Sequence, residues 1–451
     1  MVALNASDRA FTWTKDSIVN AIAEHNIQSI WHWFVDLNGE LKGFAITPQE
    51  LQRSLEDGMH FDGSSISGFN AIEESDLVAR PDLSTFALLP DHDSDSRAAR
   101  FFCDIQTPEG QPYERDPRNV LRNVIAQAKQ IGFDSYMGPE IEFFIFKSMT
   151  DPTPIDQGGY FTGPPVDRGN RIRTESITAL QALGIPVEYH HHEVADSQHE
   201  IDLRYDETLR IADAAVTYKY IVKQVAHQHG AYATFMPKPI YGVNGSGMHV
   251  HQSLFKDGRN AFADAKDPQG ISAIARYYIA GLLKYAQECS SFWAPTVNSY
   301  KRLVPGFEAP VYIAWSLRNR SALVRVPAFT PGREKSVRCE LRCADPSANP
   351  YLAFATMLGA GLRGIKDKLE LEPAQVDNLY HIGELEREKR GIKSLPSNLH
   401  EALHHTKRST FCREVLGDSM VENYLELKYQ EFDEYRVRVS QWELDRYLPV
   451  L

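Results

Sequence analysis

Residues 136–146 read YMGPEIEFFIF, and how this stretch folds decides what kind of molecule the chain makes. Side chains alternate between the faces of a strand, so Glu140, Glu142, Phe144 and Phe146 point one way and Ile141, Phe143 and Ile145 the other. Burying carboxylates on one face of an otherwise apolar strand is costly unless they are paired or bound to metal. Two readings stay open here: an edge strand with a solvated face, or a strand that holds cations.

Working outward, Asp116-Pro117 is an N-cap followed by proline at the first helical position. Val120, Leu121, Val124, Ile125 and Ala128 give that helix its apolar face, and Gly132 stops it. Further upstream, Ile30 to Ile46 reads as a hairpin about the turn Asn38-Gly39. A helix carrying Ile18, Val19, Ile22 and Ala23 precedes it, after a loose lead-in over residues 1–13. Downstream, strand-like and helix-like segments alternate, with helices over 208–229 and 267–288 and an apolar one over 350–367. The expected fold is α+β: a small N-terminal domain over residues 1–112 and a large C-terminal domain over 113–451, built around an antiparallel sheet.

The bulk numbers fit that plan. A chain of 451 residues exceeds what one hydrophobic core organises. Lys plus Arg is 48 and Asp plus Glu is 60, a net charge of −12, which argues against non-specific binding to nucleic acid or to an anionic membrane. No apolar run approaches the roughly 20 residues that span a bilayer, and no signal peptide opens the chain. The cysteines Cys103, Cys289, Cys339, Cys343 and Cys412 are odd in number and scattered, as reduced thiols of a cytoplasmic protein would be.

Four more segments carry chemistry. VEYHHHEVADSQHEIDLRY, residues 187–205, packs His190, His191, His192, Glu193, His199 and Glu200 together. Three adjacent histidines cannot all bind one metal, whereas oxygen ligands suit Mg²⁺ or Mn²⁺. Asn244-Gly245-Ser246-Gly247 is a turn whose backbone approaches a ligand closely, with His249 and His251 following on one strand face; a plain hairpin turn is the alternative. Arg302, Arg318, Arg320 and Arg325 crowd among apolar residues, either as forks for phosphate and carboxylate or as surface ion pairs. Arg338, Glu340 and Arg342 alternate along one more strand, an acid between two bases that taken alone reads as a structural ion pair. Carboxylates for metal, with arginine for phosphate, are the requirements of phosphoryl transfer, which needs positioning and charge stabilisation rather than a protein nucleophile.

FDGSSISGF, GPEIEFFIF, HHEVADSQHEID, FMPKPIYGVNGSGMH, NSYKRLVPGFEAP, RNRSA and ELRCADPSANPY resemble, in order, the signature stretches of prokaryotic class I glutamine synthetases. The resemblance implies a β-grasp N-terminal domain, a catalytic domain, and active sites between neighbouring subunits of hexameric rings that stack into a dodecamer. It implies that Glu142, Glu193 and Glu200 hold one Mg²⁺ or Mn²⁺, and that Glu140, His249 and Glu340 hold another. ATP would meet His251, Ser253, Arg325 and Arg338; glutamate would meet Asn244, Gly245 and Arg302, with Arg342 near its reacting carboxylate. Arg320 would stabilise the transferring phosphoryl group. Asp62, with Ser65 beside it, would collect and deprotonate ammonium from the neighbouring subunit, with Tyr160 and Glu193 completing that site and Glu308 as lid.

Relatives in this superfamily ligate glutamate to polyamines, ethanolamine or methylamine instead, and others are inactive scaffolds. Retention of Asp62, Tyr160, Glu308 and the full ligand set favours the ammonia reaction. Tyr380 follows Asn378-Leu379, as in the adenylylated subgroup, but His381 comes next where that subgroup has Asp, so an ordinary loop tyrosine is expected. Ala71 stands where the other subgroup has its feedback arginine.

Overall fold

The structure, a computed structural model, describes residues 13–69, 76–90, 97–307, 309–317 and 320–451. The Asn-Gly hairpin starts the first sheet: Ser29–Val35 and Leu41–Ile46 pair antiparallel with Val35 opposite Leu41. Gly39 adopts the positive φ of +83° that such a tight turn demands. Ser29–Val35 runs parallel to Ala98–Gln106, which pairs with Asp76–Pro81, and Met59–Asp62 lies at the edge. Helix Lys15–Glu24, capped by Thr14, buries Ile18, Ala21 and Ile22 in the core.

The second sheet has eleven strands among the described residues. Its order is Lys393–Ser394, Tyr312–Leu317, Ala322–Val326, Cys339–Leu341, Met248–Lys256, Asp134–Phe146, Gln198–Leu203, Val187–His192. The listed neighbours pair antiparallel except Tyr312–Leu317 with Ala322–Val326, which is parallel. Asp134–Phe146 is thus a central strand, paired on both sides, which excludes the edge-strand reading of its carboxylates. Its reverse face packs on helix Thr208–Gln228: Phe143 meets Tyr218 edge-on, and the Tyr218 hydroxyl donates to the Ile141 carbonyl at 2.9 Å.

Helix Pro117–Gln130 starts as its sequence dictates, with the Asp116 carboxylate accepting from the Arg118 N–H. Pro350–Asp367 is buried along most of its length and touches Ala273–Lys284 where glycines allow it. A Cβ on Gly281 would lie 2.0 Å from the Ala360 carbonyl oxygen, and one on Gly364 would lie 2.1 Å from that of Tyr277. The helix expected over 267–288 begins later, because Asp267 turns the chain by accepting from the Gln269 N–H and Ser272 is the true cap. It also breaks at Tyr285, and Ala286–Trp293 is a separate helix. All five cysteines are buried and unpaired, and no described helix is long and apolar enough to cross a membrane.

The first sheet is tied to the helices by one buried cation. Arg118 is 3% exposed and donates to both oxygens of Asp213 at 2.9 and 2.8 Å, to Asp82 at 2.9 Å and to Asp104 at 2.5 Å. Removing one member of a buried ionic network leaves its partners uncompensated, at a cost of about 3–5 kcal/mol. Arg118→Ala is expected to lower stability by about that amount in denaturant unfolding. Arg122→Ala, at a half-exposed position on the same carboxylates, should cost only about 1 kcal/mol or less. Equal losses would refute the central place given to Arg118.

Candidate active site

Strand register gathers the site. His249 lies opposite Glu140, and Glu140 opposite Asp202; Glu142 lies opposite Glu200, and Glu200 opposite His191. Arg325 lies opposite Glu340, and Glu340 opposite His251. Because these are cross-strand pairs, all these side chains share one face of the sheet. Farther along that face, Phe144, Phe146 and Ala195 form a small apolar cluster.

Two groups of donors result. In the first, Glu140, His249 and Glu340 bring donor atoms within 4.8 Å of one another. His249 Nδ1 is 3.3 Å from Glu140 Oε2 and 3.8 Å from Glu340 Oε1, and His251 Nε2 is 2.6 Å from Glu140 Oε1. Glu340 is fully buried and also accepts from Arg325 and Arg342. Burial works against its charge, but Arg342 beside it holds its carboxyl down at about 2. Glu140 is likewise held well below the usual range, since His251 and His249 outweigh burial. Burial and the Arg342 charge lower His249 to about 4, leaving a neutral imidazole of the kind that ligates metal.

The second group is His191, Glu193 and Glu200, with His191 Nδ1 3.6 Å from Glu193 Oε1 and His191 Nε2 3.9 Å from Glu200 Oε1. Glu142 adjoins it, buried, with Oε2 accepting from the Gly247 N–H and from Gln198 Nε2, each at 2.9 Å. Burial, then the Glu193 charge, pushes the Glu142 carboxyl up to about 8. Burial and Asp202 push Glu200 well above its ordinary value. These carboxylates crowd one another, and a divalent cation among them would supply the charge that lets them ionise. The oxygen-rich donor sets therefore fit Mg²⁺ or Mn²⁺.

The remaining expected residues divide by location. His251, Ser253 and Arg338 line a cavity of about 190 Å³ with Glu140, Tyr189 and Asp202, and Arg338 Nε donates to His251 Nδ1 at 3.1 Å. Arg302 is buried beside the Asn244–Gly247 turn and donates to the carbonyls of Cys343 and Ala344 at 2.9 and 3.2 Å and of Arg342 at 3.3 Å. Gly245 is placed against the site by its carbonyl, which accepts from Gln198 at 3.2 Å. Arg320 is hydrogen-bonded to the Tyr160 hydroxyl, and both are exposed. Asp62 and Ser65 are also exposed, at the edge of the other sheet, and are not gathered with the rest. Glu308, Arg318 and Ala71 lie outside the described residues. Tyr380 is half-buried, its hydroxyl donating to the Ala309 carbonyl at 2.9 Å.

Sequence reasoning passed over Gln198 and gave His191 no separate role. Alternation along residues 189–193 would have placed His191 and Glu193 on one face and His190 and His192 on the other. No local signal marks Gln198, whose partner is 56 residues away.

Two acid-and-imidazole clusters beside buried and half-buried arginines, on one sheet face, are donor sets that fit metal ions and a polyanionic substrate. Comparison with known proteins specifies the class. The glutamine synthetase catalytic-domain model matches residues 114–447, and the glutamine synthetase β-grasp model matches residues 26–108. The chain belongs to the glutamine synthetase family. A glutamine synthetase of Methanosarcina mazei is 49% identical over 443 residues, covering 97% of this chain and 98% of that protein. Among solved structures, a GmaS/ADP complex superposes with TM-score 0.87 at 28% identity, covering 96% of this chain and 99% of the other. A Plasmodium falciparum glutamine synthetase gives TM-score 0.86 at 26% identity, covering 96% and 98%.

Gly247 tests how tightly the site is set. A Cβ there would lie 2.6 Å from Arg302 Nη2 and 3.0 Å from His249 Nε2, and Arg302 is held by carbonyls on its other side. Gly247→Ala is expected to weaken Mn²⁺ binding about 10-fold or more, measured by calorimetric titration, with an unchanged circular dichroism spectrum. Wild-type affinity would mean that the ligands tolerate displacement.

Proposed function

We propose that this chain ligates ammonia to the side-chain carboxylate of L-glutamate, using ATP and two divalent ions, Mg²⁺ or Mn²⁺, and releasing glutamine, ADP and phosphate. The observation that carries the reading is the pair of donor clusters side by side on one sheet face, in a chain of the glutamine synthetase family. Glu140, His249 and Glu340 would hold one ion, and Glu142, Glu193 and Glu200 the other; bound there, such ions would supply positive charge to the phosphate oxygens and the transferring phosphoryl group.

The protein's own groups do the rest. The nucleotide enters the cavity at His251, Ser253 and Arg338, with Arg325 on the adjoining strand. Asn244, Gly245 and Arg302 seat glutamate, and Arg342 faces its side-chain carboxylate. That carboxylate attacks the γ-phosphorus, the bond from that phosphorus to the β–γ bridging oxygen breaks, and ADP leaves as γ-glutamyl phosphate forms; Arg320 stabilises the charge of the transferring group. Asp62, with Ser65, Tyr160 and Glu193, binds ammonium and takes a proton from it, and the ammonia so formed displaces phosphate from the acyl carbon. Glu308 closes over the intermediate.

This mechanism needs more than one subunit. Asp62 is exposed on the edge of the N-terminal sheet, which suits service to a neighbour's site. Trp442, Leu448, Val450 and Leu451 are 64–98% exposed at the C-terminal end, an apolar surface that a second ring would cover. A cytoplasmic dodecamer of two hexameric rings, each chain divided at residues 112 and 113, completes the reading; the unpaired thiols and the two separate sheets support it.

Phosphate release from ATP with Mg²⁺ and glutamate is the test. Ammonium should drive turnover far better than methylamine, ethanolamine or putrescine, and chelation of metal should abolish it. A preference for an organic amine would replace the acceptor assignment, and no turnover with any acceptor would leave an inactive scaffold. Asp62→Ala should abolish amide formation while leaving nucleotide affinity nearly intact; a matching loss of ATP affinity would remove Asp62 from the ammonium site.

A further inference from the structure

Behind the metal face lies a third cluster, with every member buried. Asp156, Asp167, His192 and His199 place donor atoms within 4.8 Å of one another. Its cation is already present. Arg173 donates to Asp167 at 3.1 and 2.6 Å and to His199 Nδ1 at 2.6 Å, so the cluster is better read as a support than as another metal site.

Asp156 is the member that reaches the ligands. Its Oδ1 accepts from His192 Nε2 at 2.9 Å and from the Ser197 N–H at 3.0 Å, and its Oδ2 accepts from the Arg168 N–H at 2.9 Å. His192 Nδ1 donates to the Glu193 carbonyl at 2.7 Å. Carbonyl and carboxylate oxygens only accept, so the His192 ring donates from both nitrogens and is held at both ends. Ser197 sits at φ +53°, in the turn that links Glu193 to the strand of Glu200, and the Asp156 N–H donates to its hydroxyl at 2.9 Å. The loop that carries Asp156 runs on to Tyr160, and the Phe161 N–H donates to the His192 carbonyl at 3.0 Å. Gly158 makes the approach possible, since a Cβ there would lie 2.4 Å from His192 Nε2.

We propose that Asp156 is a positioning residue: through His192 and the Ser197 turn it fixes where Glu193 stands in the metal pocket and locks the Tyr160 loop to that hairpin. The inference rests on Glu193 and Glu200 being metal ligands. Partners behind a ligand typically contribute about 10–100-fold to metal affinity.

Mn²⁺ titration of the full-length protein, followed by electron paramagnetic resonance, tests it. The wild type should bind two ions per chain, and Glu200→Gln identifies the one in the Glu193 pocket. Asp156→Asn should weaken that ion about 10–100-fold and leave the other unchanged, with an unaltered melting temperature of the metal-free protein. Gly158→Ala, which pushes on His192 from the loop side and keeps Asp156, should weaken the same ion. Wild-type affinities in both variants would overturn the inference, as would equal weakening of both ions together with a lowered melting temperature. A wild type that binds no Mn²⁺ would bring down the metal reading itself, a separate result.

Discussion

Carboxylates that face one another across strands, within a few ångströms and largely out of water, repel unless something positive stands between them. Glu140, Glu142, Glu193, Glu200 and Glu340 are in this position on one sheet. The two ends of the face meet the constraint differently. Around Glu340 and Glu140 the protein supplies its own counter-charge from Arg342 and Arg325, with both imidazoles within hydrogen-bond reach of Glu140, and these carboxyls ionise readily. Around Glu142 and Glu200 it supplies too little, and their protons are retained far above the ordinary range. The second pocket therefore gains more from a cation than the first, and its geometry depends more on whatever holds the backbone in place.

That backbone is held from behind. The strands bearing Glu140 and Glu200 pair with each other, Glu193 directly follows a third strand paired to that of Glu200, and the reverse face is filled by Phe143, Tyr218 and Phe235. Even the hydrogen bond that reaches Glu142 comes from a group bound elsewhere, since Gln198 joins it to the Gly245 carbonyl, and Arg302, packed against the glycine turn, donates to the strand-end carbonyl of Arg342. Such a site keeps its shape because each ligand's neighbour is itself fixed.

What was legible in the sequence was local. Asn38-Gly39 announced its hairpin and Asp116-Pro117 its helix, because the physics that sets turns and caps acts within four residues. The alternation of Glu140 and Glu142 was legible too, but not whether their strand was central, since that depends on partners at 198–203 and 248–256. The histidine run hid its own division, His191 toward the ligands and His192 toward Asp156, because neighbours in sequence look like neighbours in space. The ligand assignments came from whole motifs resembling a family rather than from any one residue's chemistry. Asp156 was invisible, since its polar partners His192 and Ser197 are 36 and 41 residues away and nothing in its flanking sequence refers to them.

The fold also separates two tasks. The side chains proposed to hold metal lie on or beside paired strands and are mostly buried or half-buried; of those proposed to receive ammonium, Glu193 is shared with the metal pocket, while Asp62, Ser65 and Tyr160 stand exposed on a sheet edge or a loop. A cation site needs fixed distances, which one chain's sheet provides. An ammonium site needs a carboxylate that stays outside the metal cluster, because a carboxylate drawn into it would lose its basicity to the cations. In the proposed mechanism, placing Asp62 on the other sheet keeps it outside the metal cluster and requires another surface to bring it to the acyl carbon. On the proposed reading, metal binding belongs to the single chain and amide formation to the assembly.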